Sequence, residues 1–124
     1  MALRGNIEGR FAIDTDWKSP NSGFYLFLGE KPAGFAIRGI VDGRSDIAEF
    51  YILPCYRKKG LGKILAFAIF DSFPGPWQIR QIPTAKDAII FWRATIQEYM
   101  NGNYKEDQIS DPHWGTVIRQ CFET

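Results

Sequence analysis

The stretch Arg57-Lys58-Lys59-Gly60-Leu61-Gly62-Lys63 gathers four cations around two glycines. Just before it, Pro54 stops the apolar run Ile47 to Leu53, since proline cannot donate to a strand ladder. From Leu61 onward, Leu61, Ile64, Leu65 and Ala68 recur at the spacing of one helix face. The cations therefore stand at a helix start, where unpaired N–H groups already carry partial positive charge and further cations are unfavourable. A bound diphosphate reverses that sign. Gly60 and Gly62 let the backbone turn sharply and approach an anion without a Cβ in the way, and the helix N-terminus supplies oriented donors. The pattern is not a Walker A loop, because Ile64 follows Gly62-Lys63 where Ser or Thr is needed. Nor is it a dinucleotide fingerprint, whose third glycine would fall at Leu65. A solvated basic patch is the plain alternative and the better reading of the cations alone; the two glycines and the strand-turn-helix setting, with the wider resemblance given below, favour the anion site.

The elements that position this loop follow from periodicity and breakers. Phe24 to Leu28 and Phe35 to Val41 are β-prone runs joined by residues 29–34, which reads as a hairpin. Asp42 to Arg44 makes a turn and Ile47 to Leu53 a further strand. Asp71 to Pro76 closes the first helix with two prolines and a glycine, and Trp77 to Ile82 alternates as a strand does. Thr84 with Asp87 resembles a capping box; Ala88, Ile89, Trp92 and Ile96 give a second helix its core face, ending near Asn101-Gly102. Thr116 to Phe122 reads as a last strand, in a tail with room for one or two. Before Phe24, Phe11 to Ile13 suggests a short strand and Ser19 to Gly23 a turn or loop. The order β, β, β, α, β, α, then β indicates an α/β (α+β) fold, a mixed sheet covered by helices.

Composition sets the bounds. A chain of 124 residues is expected to form a single domain over residues 1–124, and 45% apolar with 23% charged residues is far from the composition of disorder. The net charge of +1 makes any basic surface local, which argues against a general nucleic-acid coat. The longest apolar run, around Ile64 to Phe70, is well short of the roughly 20 residues that span a bilayer. Met1 to Gly9 has no apolar stretch of a signal peptide, so the expected place is the cytoplasm, with no membrane partner. Cys55, Cys121 and the lone His113 make no metal-ligand cluster; reduced thiols and no metal are expected.

The stretch IAEFYILPCYRKKGLGKILAFAIF, Ile47 to Phe70, resembles the GNAT superfamily of acetyl-CoA-dependent N-acetyltransferases. The resemblance continues through WQIRQI, AIIFWRATIQEY and the tail to Phe122, and is similar to a bacterial branch of predicted acetyltransferases. It implies a mixed, mostly antiparallel central sheet flanked by helices and one acyl-CoA-binding domain. It also implies a pyrophosphate cradle at the amides of Arg57, Lys58, Lys59, Gly60, Leu61, Gly62 and Lys63. The pantetheine arm would pair with main-chain groups at Tyr51, Ile52 and Leu53, one amide polarising the thioester carbonyl. Members usually carry about one strand and two helices before the hairpin. Only some 22 residues precede Phe24 here, so those N-terminal helices are expected to be reduced or absent, and a second subunit to cover apolar surface left bare, making a homodimer.

Acetyl transfer to an amine needs the amine neutral. For a lysine-like acceptor of pKa about 10.4, deprotonation at pH 7 costs roughly 4 to 5 kcal/mol, so a general base is worth having. Glu49 is the candidate, because some relatives carry a glutamate at this place in the strand; a sheet-surface carboxylate or structural ion pair is the alternative. Relatives often place an acidic tyrosine in a Phe-Tyr pair on the later helix. This chain has Phe91-Trp92, and an indole is no useful acid. Tyr104 is the candidate substitute, with Tyr56 and Tyr99 behind it. Cys55 offers an acetyl-Cys route of low weight. Trp77, Trp92 and Trp114 are expected in the core or at its rim, and Arg80 and Gln81 either line a cleft or occupy an outer face. The implied activity is transfer of the acetyl group of acetyl-CoA to an amine substrate. A CoA-binding module that is non-catalytic or completed by a partner is the second reading, and a small nucleic-acid binder the third.

Overall fold

A computed structural model describes residues 2–3, 11–16, 22–58 and 60–124. Backbone contacts group the chain into two units, residues 1–40 with 47–73, and residues 41–46 with 74–124. The strands are β1 (Ala2–Leu3), β2 (Phe11–Asp16), β3 (Ser22–Leu28), β4 (Lys31–Val41), β5 (Arg44–Ile52), β6 (Pro76–Gln81), β7 (Lys105–Asp111) and β8 (Gly115–Glu123). The α-helices are α1 (Leu61–Ser72) and α2 (Lys86–Met100). The sheet is mixed, as the motif order implied, and mostly antiparallel, as the resemblance implied. Among the described residues no helix precedes β5.

In the first unit the strand order is β1-β2-β3-β4-β5. β2 and β3 pair antiparallel from Phe11↔Leu28 to Asp16↔Gly23. Five residues, 17–21, separate the two strands in sequence, too few for a helix pair. The expected strand at Phe11 to Ile13 is real and longer. Of the expected turn at Ser19 to Gly23, residues 19–21 lie outside the described residues, while Ser22 and Gly23 already belong to β3. β3 and β4 pair with a register shift at Leu26/Phe27, where Ala33 is the extra residue after Pro32. A proline that cannot donate is at home beside such a bulge.

One face of this sheet, with Phe24 and Leu26 buried, packs on α1, which buries Leu61, Leu65, Ala66, Ile69 and Phe70. The helix is rotated from the expected stripe, because Ile64 and Ala68 are only half-buried. Beyond α1, Phe73 meets Phe24 edge-on at 5.9 Å and lies under the Arg38 guanidinium at 3.9 Å. Partial burial there pulls the Arg38 pKa down.

Gly34 holds β4 tightly to β5. A Cβ on it would fall 2.5 Å from the Tyr51 carbonyl oxygen and 2.8 Å from Ile52 Cδ1. Because the obstacle is backbone, Gly34→Ala is expected to cost about 1–3 kcal/mol as overpacking does. Urea unfolding measures it, and a variant as stable as the parent would show that the two strands can part freely.

In the second unit, β5 pairs parallel with β6 at Ser45↔Trp77, and the order continues β6-β8-β7. Trp77 and Phe122 are directly opposed and their rings stack at 6.2 Å, over a core of Ile79, Ile89, Trp92, Ile96 and Val117. The capping box did not form. The N-cap is Ala85, without a side-chain cap bond, because the turn closed by Ala85 N–H on Ile82 O starts the helix one residue past the Thr84 register. The far end falls as expected, with Asn101 left-handed and Gly102 N–H donating to Gln97 O.

β7 reads KEDQISD, a polar segment of low strand propensity. Cross-strand charge holds it: Asp107 stands opposite Arg119 and pairs with it at 2.6 Å, while Glu106 pairs with Arg93 at 2.7 Å and accepts from Gln120. Hydrogen bonds from Arg93 and Arg119 hold the Glu106 and Asp107 carboxyls below their ordinary range. Backbone N–H groups of Trp114 and His113 do the same for Asp111. A carboxyl depressed on folding stabilises fully above its unfolded pKa, about 4, and progressively less as pH falls from there through the folded value. The β7–β8 amides are therefore expected to exchange hydrogen faster, in the folded protein, below about pH 4. Protection constant down to pH 2 would count against these pairs.

Candidate active site

The site is built on one continuous segment of the first unit, the second half of β5, a 3₁₀ turn at Pro54–Tyr56 and the start of α1. Leu53 N–H donates to Ala33 O at 2.8 Å, and the Tyr51 carbonyl oxygen lies against Gly34. Both groups face β4. Alternation along the ladder turns the main-chain groups of Ile52 to the other edge, where its carbonyl accepts Arg57 Nε at 2.7 Å. Of the three main-chain positions at the strand end, Ile52 is thus the one directed away from β4.

In the turn, Tyr56 N–H donates to Leu53 O and Arg57 N–H to Pro54 O, so these two amides are engaged by the loop itself. Lys58 has φ +62° and Gly60 φ +78°, both left-handed, and only at the second does a glycine meet the demand. Gly60 is the N-cap of α1. No side chain caps the helix and no acidic residue stands in its first turn. Ile64 N–H already reaches Gly60 O at 3.2 Å, so the amides of Leu61, Gly62 and Lys63 make up the first helical turn ahead of that bond. A Cβ placed on Gly60 would meet nothing within 4 Å. The corner is open and its backbone bare, as a diphosphate requires. Lys58 is exposed, Lys63 half-buried in the first helical turn, and Lys59 lies outside the described residues.

The Arg57 guanidinium is turned back toward the strand and lies 5.1 Å from the Tyr51 ring centre. That ring meets Phe35 at 6.0 Å, which puts both on the sheet face opposite α1. An open groove of about 470 Å³ lies there, lined by Phe35, Glu49, Phe50 and Tyr51. Glu49 is exposed, on the same strand face as Tyr51. Phe35 and Phe50 were not singled out from the sequence, where an aromatic in a β-prone run is indistinguishable from core.

The other sequence candidates lie in the second unit or in structural roles. Tyr104 is half-buried just before β7, its N–H donating to Gly102 O; Tyr99 is half-buried on α2. Trp92 and Trp77 are core residues, while Trp114 is exposed. Arg80 and Gln81 are engaged in structure. Arg80 bridges buried Asp46 at 2.8 Å and Asp111 at 2.7 Å, and Gln81 exchanges two amide bonds with Gln120. Cys55 is exposed in the 3₁₀ turn, Cys121 is half-buried, and both are free thiols. His113 is exposed. Among the described residues no group of His, Cys, Asp and Glu could hold a metal ion, and no helix is long and apolar enough to cross a membrane.

A strand ending in a bare left-handed glycine corner at a helix start is the layout of acyl-CoA-binding acetyltransferases. The chain belongs to the acetyltransferase (GNAT) family, whose model matches residues 5–93. That membership makes it an acetyltransferase by class. The ribosomal-protein-S18-alanine N-acetyltransferase of Escherichia coli is similar at 17% identity and TM-score 0.65, over 85% of this chain and 70% of that one. A GNAT family acetyltransferase from Elizabethkingia anophelis with acetyl-CoA bound is similar at 9% identity and TM-score 0.69, over 94% and 100%. A Bacillus subtilis acetyltransferase in complex with CoA matches at 10% and 0.67, over 93% and 98%. The chain spans 62–65% of the length of several other acetyltransferases. At these identities the likeness is one of fold. Comparison with curated proteins returned no match.

Proposed function

We propose that the protein transfers the acetyl group of acetyl-CoA directly to a primary amine. The observation that carries this reading is the placement of Glu49, exposed on its groove, on the strand that runs on into the open Gly60 corner. Bound acetyl-CoA supplies an activated acetyl group as its thioester. The amides of Leu61, Gly62 and Lys63, with Lys58 and Lys63 nearby, hold the diphosphate, and Lys59 and the Arg57 charge add to the local field. Ile52 presents its main chain to the pantetheine arm and its N–H to the thioester carbonyl; Tyr51 and Leu53, tied to β4, hold Ile52 in place. Glu49 takes the proton from the incoming ammonium. The departing thiolate takes its proton from water, a small demand because a thiol of pKa about 8.5 is a fair leaving group; Tyr104, the sequence candidate for that acid, belongs to the second unit. The protein works in the cytoplasm, a placing supported by its two free thiols.

The direct test is release of free CoA thiol on adding amines to protein and acetyl-CoA. Tyr104→Phe is expected to change turnover by less than about tenfold while leaving CoA affinity unchanged. The second reading is a CoA-binding module that is non-catalytic or completed by a partner, such as a second copy. It is favoured by the antiparallel β2–β3 pairing of strands only five residues apart in sequence, where the resemblance implies a helix pair. CoA binding without any amine-dependent thiol release would select it.

A further inference from the structure

The groove beside Glu49 has the rings of Phe35 and Tyr51 on the face of its one carboxylate, with Phe50 between Glu49 and Tyr51 in the strand. It is open to solvent along its length, with a volume of about 470 Å³. Tyr25 stands directly opposite Phe35 on the neighbouring strand and is 43% exposed, extending the aromatic surface across β3, β4 and β5. Tyr51, 40% exposed, separates the groove from the Arg57 guanidinium. A polyamine would bring several positive charges to a place that offers one lining carboxylate and sets a cation nearby. A peptide N-terminus would bring amide groups to bury against rings that cannot pair with them. A single ammonium on an apolar body suits both halves of the lining: the charge meets Glu49 and the ring faces, and the body displaces water from Phe35 and Tyr51.

We infer that the acceptor is a small monoamine with an aromatic or bulky aliphatic body, its nitrogen at Glu49 and its body against Phe35 and Tyr51. This rests on the acetyltransferase reading above. The ammonium gives one proton to Glu49, which passes it to solvent. The neutral nitrogen forms the new C–N bond to the acetyl carbon as the C–S bond breaks. The nitrogen loses its second proton to solvent, and the thiolate takes one from water, giving the acetamide and free CoA.

The experiment measures thiol release with 2-phenylethylamine, n-butylamine, spermidine and trialanine. The expected order puts 2-phenylethylamine at least about tenfold in kcat/KM above spermidine and trialanine, on the scale of one apolar contact set. Phe35→Ala is expected to raise KM for 2-phenylethylamine about tenfold and for n-butylamine much less, with CoA affinity retained as proof of folding; Phe35→Leu, which keeps bulk, restores most of it. Spermidine or trialanine as the best substrate, or a Phe35→Ala variant with unchanged KM for 2-phenylethylamine, overturns the acceptor class and leaves amine acetylation standing. No thiol release with any amine overturns both.

Discussion

Gly60→Val is expected to weaken CoA binding at least about 100-fold, the loss of roughly two charge-assisted hydrogen bonds at 1.4 kcal/mol per tenfold. Two causes act together. Valine at φ +78° is strained, by about 1–2 kcal/mol. Its side chain also projects into the open space where an anion must come close to the amides of Leu61, Gly62 and Lys63. Strain alone would lower stability without touching affinity, and Gly29→Val separates the two. Gly29 has φ +64° in the β3–β4 turn, and a Cβ there likewise meets nothing within 4 Å. It is expected to lose similar stability in urea and to bind CoA as the parent does by calorimetry. Equal CoA affinity in Gly60→Val and parent would place the diphosphate elsewhere and dismantle the cradle.

Glu49→Gln is expected to lower kcat/KM about 10²–10³-fold near pH 7, the range of a positioned general base, and to leave CoA affinity within about twofold. The glutamine keeps the size and can still hydrogen-bond, so what it removes is proton acceptance and charge. The deficit has a pH signature. An amine of pKa about 10 is almost wholly protonated at pH 7 and increasingly neutral as pH rises, so parent and variant should converge toward pH 10. A deficit constant from pH 7 to 10 would mean that Glu49 only binds the ammonium; no deficit at any pH would remove it from the reaction.

Legibility in the sequence followed the range of the forces involved. The glycine corner and α1 could be read because a left-handed residue and an uncapped helix start leave local marks, in Gly60 and in the apolar spacing after Leu61. The strands around Phe24, Phe35 and Trp77 were equally plain. What failed was set at a distance. Arg80 and Gln81 read as outer or cleft residues, but their partners Asp46, Asp111 and Gln120 lie more than thirty positions away. β7 carries almost no strand signal of its own, since its pairing comes from Arg93 and Arg119. The Thr84 capping box failed locally, because the turn ending at Ala85 shifted the helix start by one residue. Within the site, the role of Gly34 and the aromatic groove needed the β4–β5 contact, which no spacing rule encodes.

With only five residues between Asp16 and Ser22 in the sequence, two properties are separated that a longer connection would tie together. Lengthening a connection costs little, about 0.6 kcal/mol per doubling, and this one is remote in sequence from β5 and the glycine corner. A helical segment grafted between those strands could therefore reshape which molecules reach the carboxylate while nucleotide recognition stays as it is, making this chain a minimal chassis on which substrate choice can be added as a module.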